Sequence, residues 1–433
     1  MLYAGVIEKV ITPDFPTLLS GYPEPRDRYH TEVHDDLKVH CFYLRNEETE
    51  VAIITLDLIS YKKPRVKKVR EQIYQACGIK PENILISATH THSAPACGSV
   101  PFNHDNREMY PYYLDQVSKA IVEGISEAKI SAFLAKIAMG KGYCGKEQGV
   151  GGNRRDKDGP ADPDVFVTGI KDAKDELRGV LVNYALHPTF LHAESRAISA
   201  DYPAYIYKYF QDKNNDVVVG FQNGAAGNQS SRHFRTGQTF EEAKRVGYAI
   251  AAEAEKVLSE LNYEYDVSLF TVHTELEPEM KKIPPVEEAK ALQQKVKNDY
   301  QNSIKNNEPY AVQRTLECSL IGANNMLRTS MGGAEAVEAI AANNPLEIFV
   351  LGIGENRIVT VPCEIFVEFA LRLKKESPFE HTYLASTSNG YGSGYVCTPK
   401  SYEEGGYEPT VSKYERTVGD SLIDKALELL GNN

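Results

Sequence analysis

The chain of 433 residues contains no run of about 18 apolar residues, the length a helix needs to cross a bilayer, so a helical membrane span is excluded. It has no basic stripe either. A net charge of −12 argues against nucleic acid and against docking on anionic lipid, both of which demand a cationic face. There is no CxxC pair: Cys41, Cys77, Cys97, Cys144, Cys318, Cys363 and Cys397 are an odd number, widely spread among apolar neighbours. They read as buried free thiols, because a chain this long builds its core without disulfide staples. No Pro/Ser-rich linker, low-complexity tract or repeat of about 20 to 50 residues divides the sequence, which excludes a solenoid. One large catalytic domain over residues 1–433 is therefore expected, although the chain exceeds the roughly 250 to 300 residues at which single cores usually stop growing. The opening MLYAGVIEKVITP enters a strand pattern without a charged leader and apolar core, which predicts a cytoplasmic chain, or a secreted one whose leader has been trimmed.

What is present is an alternation of two patterns. Continuous apolar runs occur at Val51–Leu58, Ile84–Ala88, Phe133–Met139, Gly179–Leu186, Val217–Phe221, Ile348–Ile353 and Ile358–Val361, and they predict strands buried on both faces. Between them lie stretches of helical period. Val66, Val69, Ile73 and Ala76 precede a C-capping Gly78, and Tyr113–Ala128, Phe240–Leu261 and Val418–Leu430 behave alike. The class expected is α/β, with mostly buried β-sheets flanked by helices. Pro284–Ala339 is long, charged and helical in period, and predicts a helical excursion whose charged face is solvated surface.

The segment Thr89–Pro95 follows Ile84–Ala88 directly and sets His90 and His92 two residues apart. A buried strand ending in HxH aims imidazole nitrogens at a metal. Imidazole suits zinc, and a catalytic zinc typically takes three protein ligands and keeps a position for water. Other strand ends supply candidates. Gly179–Leu186 runs into His187 and Pro188, Val217–Phe221 leads to the loop ending at Ser230, and Ile358–Val361 leads to Glu364. Ligands in α/β proteins gather beyond the carboxyl ends of strands, so these ends are expected to converge. Each has a blander reading alone: His187 as a packed loop histidine, Glu364 as a carboxylate at a helix N-terminus, Ser230 as a turn hydroxyl.

Some patterns are excluded by their context. In HTHSAP, Ala94 and Pro95 stand where the HxHxDH of metallo-β-lactamases requires Asp and His. An amidohydrolase barrel places its HxH near the chain start, whereas this one comes late. Gly140, Gly142 and Gly145 form a formal GxGxxG, but Lys146–Pro160 has no helical period to face a pyrophosphate.

Five motifs, SATHTHSAPA (Ser87–Ala96), NYALHPT (Asn183–Thr189), GAAGNQSS (Gly224–Ser231), VPCEIF (Val361–Phe366) and SNGYGSGYVCTPKSYEEGGYE (Ser388–Glu408), stand in an order that resembles the catalytic domain of the neutral/alkaline non-lysosomal ceramidase family. The opening ITPDFPTLLSGY and HDDLKVHCFYL match its entry, so the resemblance covers essentially residues 1–430. It implies a zinc amidase with the metal on His90, His187, Glu364 and Tyr395, and with His92 close by as a non-ligand. Tyr395 rather than Tyr391 follows if one residue is inserted in Gly392–Gly394. Arg154 falls on the family's active-site arginine, although Arg155 and Asp156 depart from the residues usual after it, and Tyr407 on a second active-site tyrosine. Ser230 falls on a serine that is either a nucleophile or a hydrogen-bond partner of a substrate hydroxyl, the second being favoured because a zinc site does not need it. Asp57 and Asp201 are expected to orient the ligand imidazoles.

The implied reaction is hydrolysis of an N-acyl amide, from ceramide or a related N-acylated amino alcohol, by metal-activated water. The family's C-terminal immunoglobulin-like domain has no counterpart in these residues, and no membrane-binding segment is evident, so the chain resembles a short form. The alternatives are a hydrolase of the same fold acting on a small polar amide, ester or lactone such as a sugar derivative, and a non-catalytic metal- or lipid-binding module. Oligomeric state is not legible.

Overall fold

The computed structural model describes residues 1–22, 27–97, 109–392 and 394–431. Its largest sheet has eight strands: β1 (Tyr3–Val10), β2 (Lys38–Arg45), β3 (Glu50–Leu56), β4 (Ile84–Ala88), β5 (Phe133–Tyr143), β6 (Asp164–Asp172), β7 (Leu177–Tyr184) and β8 (Val218–Asn223), in the order β8-β7-β6-β5-β1-β2-β3-β4. The pairs β3/β4 and β7/β8 are parallel and the remainder antiparallel. A second sheet joins β9 (Leu269–Leu276), β10 (Leu346–Ile353), β11 (Asn356–Thr360) and β12 (Thr382–Ala385) in that order.

Strand alternation explains how both faces are buried. Cys41 and Tyr43 of β2 and Ile54 of β3 face the helices α1 (Lys63–Cys77), α2 (Met109–Ile130), α3 (Tyr202–Gln211) and α4 (Phe240–Glu260), meeting Val69, Ile121, Ile206 and Ile250. Phe42, Leu44 and Ile53 point the other way, into a shared core with Phe349, Leu351 and Ile358 of the second sheet. That sheet's far face carries Ile348, Val350 and Val359 against Phe369 and Leu373 of α7 (Val367–Glu376) and Leu422 and Ile423 of the C-terminal helix Val418–Gly431. The two sheets thus lie back to back with helices outside, and the class expected from sequence holds.

All seven long apolar runs are strands, with ends shifted by a few residues. Lys38–Arg45, Asp164–Asp172 and Leu269–Leu276 were not expected, because polar or charged residues interrupt or bound their apolar positions. Helix α1 ends as expected: Gly78 takes φ 79°, and its N–H donates to the Tyr74 carbonyl at 2.8 Å. All seven cysteines are free. Among the described residues no helix is long and apolar enough to cross a membrane.

The excursion is a helical hairpin, α5 (Val286–Lys305) and α6 (Tyr310–Ala341), with α6 interrupted at Gly333. One expectation fails here. Not all of its polar face is solvated surface: Arg314 and Cys318 of α6 are buried against the loops that carry the candidate site.

The eight-stranded sheet coils strongly, so that its end strand β8 lies against β2, β3 and β4. Gly220 fits there because a Cβ would stand 2.7 Å from the Phe42 ring. The coiling brings the ends of β4 and β8 together, with Gln222 Nε2 donating to Ser87 Oγ at 3.2 Å. Segment Ser386–Asn389 is stitched to both: Ala88 N–H donates to the Thr387 carbonyl at 3.2 Å and Ser386 N–H to the Asn223 carbonyl at 2.8 Å.

Candidate metal centre

His90 leaves β4 in the left-handed region, φ 69°, with its N–H on the Leu58 carbonyl at 2.9 Å. That turn aims the ring inward. Its Nδ1 stands 2.7 Å from the Ile59 carbonyl, and Nδ1 of His187 stands 2.6 Å from the Ala226 carbonyl. A carbonyl only accepts, so each bond assigns the proton to Nδ1 and leaves Nε2 as a bare acceptor. Both Nε2 atoms point at one oxygen, Glu364 Oε2, at 3.3 Å from His90 and 3.2 Å from His187.

Three lone pairs converging on one point repel one another unless a cation lies between them. The spacing suits an ion, since two donors each about 2.0 Å from a tetrahedral zinc stand about 3.3 Å apart. Protonating His187 instead is disfavoured: burial, and then Arg154, push it down to about 4.

His92 completes a group of three imidazoles whose ligand atoms lie within 4.8 Å of one another. Neither of its buried nitrogens has a partner. Burial, then the neighbouring His90 and His187, lower its pKa well below that of a free imidazole, so it is neutral at pH 7.

Two tyrosines approach Glu364. Parallel pairing of Glu364–Ile365 with Tyr395–Val396 sets Tyr395 beside it, with its ring 6.4 Å from that of His187. The Tyr395 hydroxyl accepts from Arg154 Nη2 at 3.2 Å, whereas the Tyr391 hydroxyl donates to Glu364 Oε1. Ser393, within the inserted stretch, lies outside the described residues.

Pairing of Gly152–Asn153 with Gln229–Ser230 sets Ser230 opposite Gly152 and Arg154 opposite Asn228, whose carbonyl accepts from the Arg154 N–H at 2.8 Å. Arg154 is buried and donates from Nε to Glu408 Oε1 at 2.8 Å. Arg155, the departure noted in the sequence, donates to the other oxygen of Glu408 at 2.9 Å, so the carboxylate is held by two guanidiniums. Tyr407 precedes Glu408 in the short helix Tyr407–Val411, and its ring lies 5.6 Å from that of Tyr395. Ser230 is buried, and its Oγ accepts from the Arg232 N–H at 3.2 Å. Among the described residues no imidazole or carboxylate hydrogen-bonds to it.

The aspartates are elsewhere. Asp57 accepts from Lys38 N at 3.0 Å and Tyr207 Oη at 2.8 Å, and Asp201 from the amides of Phe190, Leu191 and Tyr202 at 3.0, 3.1 and 2.7 Å. They tie down backbone and do not orient His90 or His187, a task that main-chain carbonyls perform.

His92, Arg154, Ser230, Tyr395 and Tyr407 line one recess, and Tyr22, His192, Arg232, Arg235, Arg314 and Cys318 share it. The second group was not read from sequence. Arg232 and Arg235 sit just after Ser230 and were within reach of the motif, but nothing local marks Arg314.

No protein-family model matches this sequence. The neutral ceramidase of Pseudomonas aeruginosa is 27% identical over 224 residues, covering 44% of this chain and 32% of that protein, so the matched stretch spans about a third of the relative's length. The crystal structure of neutral ceramidase from Pseudomonas aeruginosa superposes with a TM-score of 0.72 at 18% identity, covering 100% of this chain and 75% of that one. A ceramidase complexed with C2 gives 0.71 at 17% identity, with 100% and 75% covered. The chain has a neutral ceramidase-like fold.

Proposed function

We propose that this chain is a zinc-dependent hydrolase that cleaves an N-acyl amide. The observation that carries the reading is the meeting of two acceptor nitrogens, His90 Nε2 and His187 Nε2, on one carboxylate oxygen of Glu364. His90, His187, Glu364 and Tyr395 would hold the ion. Bound there, zinc supplies Lewis acidity and a water activated near neutral pH.

The chain's own groups supply the remainder. Neutral His92 has one free N–H to donate to the amide carbonyl and one free acceptor nitrogen, which could take a proton from the attacking water and return it to the leaving amine. Burial, then Glu364, raise the Tyr407 phenol, which keeps its proton and serves as a second donor. Arg154 fixes the Tyr395 hydroxyl while Glu408 fixes Arg154. Ser230 orients a substrate hydroxyl, a role supported by the absence of a hydrogen-bonded base among the described residues. Ceramide or a related N-acylated amino alcohol is the substrate class that the relatives' names suggest. The polar walls of the recess favour a second reading, a small polar amide, ester or lactone.

Metal content and hydrolysis of a short-chain fluorescent ceramide, measured for wild type and His90→Ala, test the reading. About one zinc per chain, lost in the variant together with hydrolysis, supports it. Zinc without ceramide cleavage moves the substrate to the polar class, zinc with no turnover of any amide or ester leaves a metal-binding module, and no metal after reconstitution overturns the assignment.

A further inference from the structure

Two of the guanidiniums that line the recess beside the candidate centre, Arg232 and Arg235, have no carboxylate partner among the described residues. Arg232 reaches only neutral groups, the Arg154 carbonyl at 3.4 Å, Thr315 Oγ1 at 3.2 Å and Cys318 Sγ at 3.4 Å. Arg235 donates to the Thr189 carbonyl at 3.1 Å. Neither has a carboxylate within 4.0 Å among the described residues. Arg314, buried at 9% exposure, pairs through Nη1 with Glu317, whose side chain is 36% exposed at the rim. Glu408, the buried carboxylate that Arg154 reaches, is already shared with Arg155.

Two more polar side-chain atoms are stranded in the same wall. His192 Nε2 and Gln238 Nε2 are buried without a partner, and Gln238 Oε1 is taken by the Tyr310 hydroxyl at 2.7 Å. Burial, then Arg314, push His192 down to about 4, so it is neutral at pH 7 and adds no positive charge of its own. Arg232 and Arg235 are half-buried, and a guanidinium withdrawn from water without a counter-charge gains from a ligand that supplies one. A neutral two-chain lipid brings no such charge.

We propose that Arg232, Arg235 and Arg314, with His192 and Gln238, form a subsite for an anionic oxygen group, so that the preferred substrate is an N-acyl amide that also carries a carboxylate, phosphate or sulfate. The proposal rests on the amide-hydrolase reading and sharpens its substrate class. It places the charged end of the substrate against the guanidiniums while the scissile carbonyl lies toward His92 and the metal ligands. Arginine forks match planar or tetrahedral oxyanions with paired hydrogen bonds.

The test uses zinc-loaded full-length protein and substrates matched in acyl chain: N-octanoylethanolamine, its phosphate ester, and N-octanoylglycine. An acidic member should exceed the neutral one in kcat/KM by about 10-fold or more, the scale of a charge-assisted hydrogen bond. Arg232→Gln and Arg235→Gln should each remove most of that preference. Which acid wins separates carboxylate from phosphate. Arg235 is partly exposed, so its variant carries the test if Arg232→Gln lowers the melting temperature too far. A neutral substrate cleaved as well as both acids, or an acid preference that survives both substitutions, overturns the proposal. If no amide is cleaved the hydrolase reading fails, and titration calorimetry with N-octanoylglycine and inorganic phosphate decides the subsite alone. Binding weakened about 10-fold in Arg235→Gln supports it; no binding to the wild type overturns it.

Discussion

His187 Nε2 stands 3.2 Å from Glu364 Oε2 while its Nδ1 donates to the Ala226 carbonyl at 2.6 Å. The second bond decides the meaning of the first: with the proton on Nδ1, the contact to Glu364 joins two acceptors, and His90 repeats the arrangement at 3.3 Å. A site that is repulsive when empty fits a cation, and this is the ground for the proposed metal.

Glu364→Gln should separate folding from metal binding. The amide nitrogen would donate to an imidazole where the carboxylate oxygen repels it, so the metal-free variant should be about 1 kcal/mol more stable than metal-free wild type. Its zinc affinity should fall by more than about 100-fold, beyond the range for loss of an outer-shell partner. Melting temperatures with chelator and with zinc check both. A variant less stable than wild type in chelator would refute the tautomer argument.

Acid should destabilise the metal-free protein. His187 is depressed to about 4, so below the unfolded value of about 6.5 the unfolded chain binds the extra proton first. Stability is then full above about pH 6.5 and declines by up to about 1.4 kcal/mol per pH unit as pH falls toward 4. Urea unfolding in chelator between pH 4.5 and 7.5 measures the slope, and a flat profile would contradict it.

Ser230→Ala should keep zinc and retain turnover within about 10-fold of wild type, with KM for hydroxyl-bearing substrates raised. A covalent nucleophile would lose orders of magnitude in kcat instead. Steady-state kinetics with a burst-phase experiment separates the two.

The two tyrosines should differ. Tyr395→Phe removes a proposed ligand, whereas Tyr391→Phe removes only a hydrogen bond to Glu364 Oε1, so the second should weaken zinc by about 10 to 100-fold and the first by more. Chelator competition on both variants ranks them; the reverse order would transfer the ligand role to Tyr391.

Much of this molecule was determined by the sequence alone. Apolar runs such as Ile84–Ala88 and Val51–Leu56 place strands because burial on both faces leaves no room for polar positions, and HxH after such a strand marks the centre. Strand ends brought His187, Ser230 and Glu364 onto the candidate roster and the family resemblance added Arg154, and the structure brings them together. Tertiary structure decided what depends on contacts between distant segments. The coiling of the sheet, which no local period encodes, carries β8 to β4 and so lets His187 meet His90. The orienting partners of the imidazoles are the carbonyls of Ile59 and Ala226 rather than Asp57 and Asp201, because every residue has a carbonyl and only the fold selects which one faces a ring. Arg314 reached the recess on a helix whose pattern reads as solvated surface, since its period records that one face is polar and not what that face will touch.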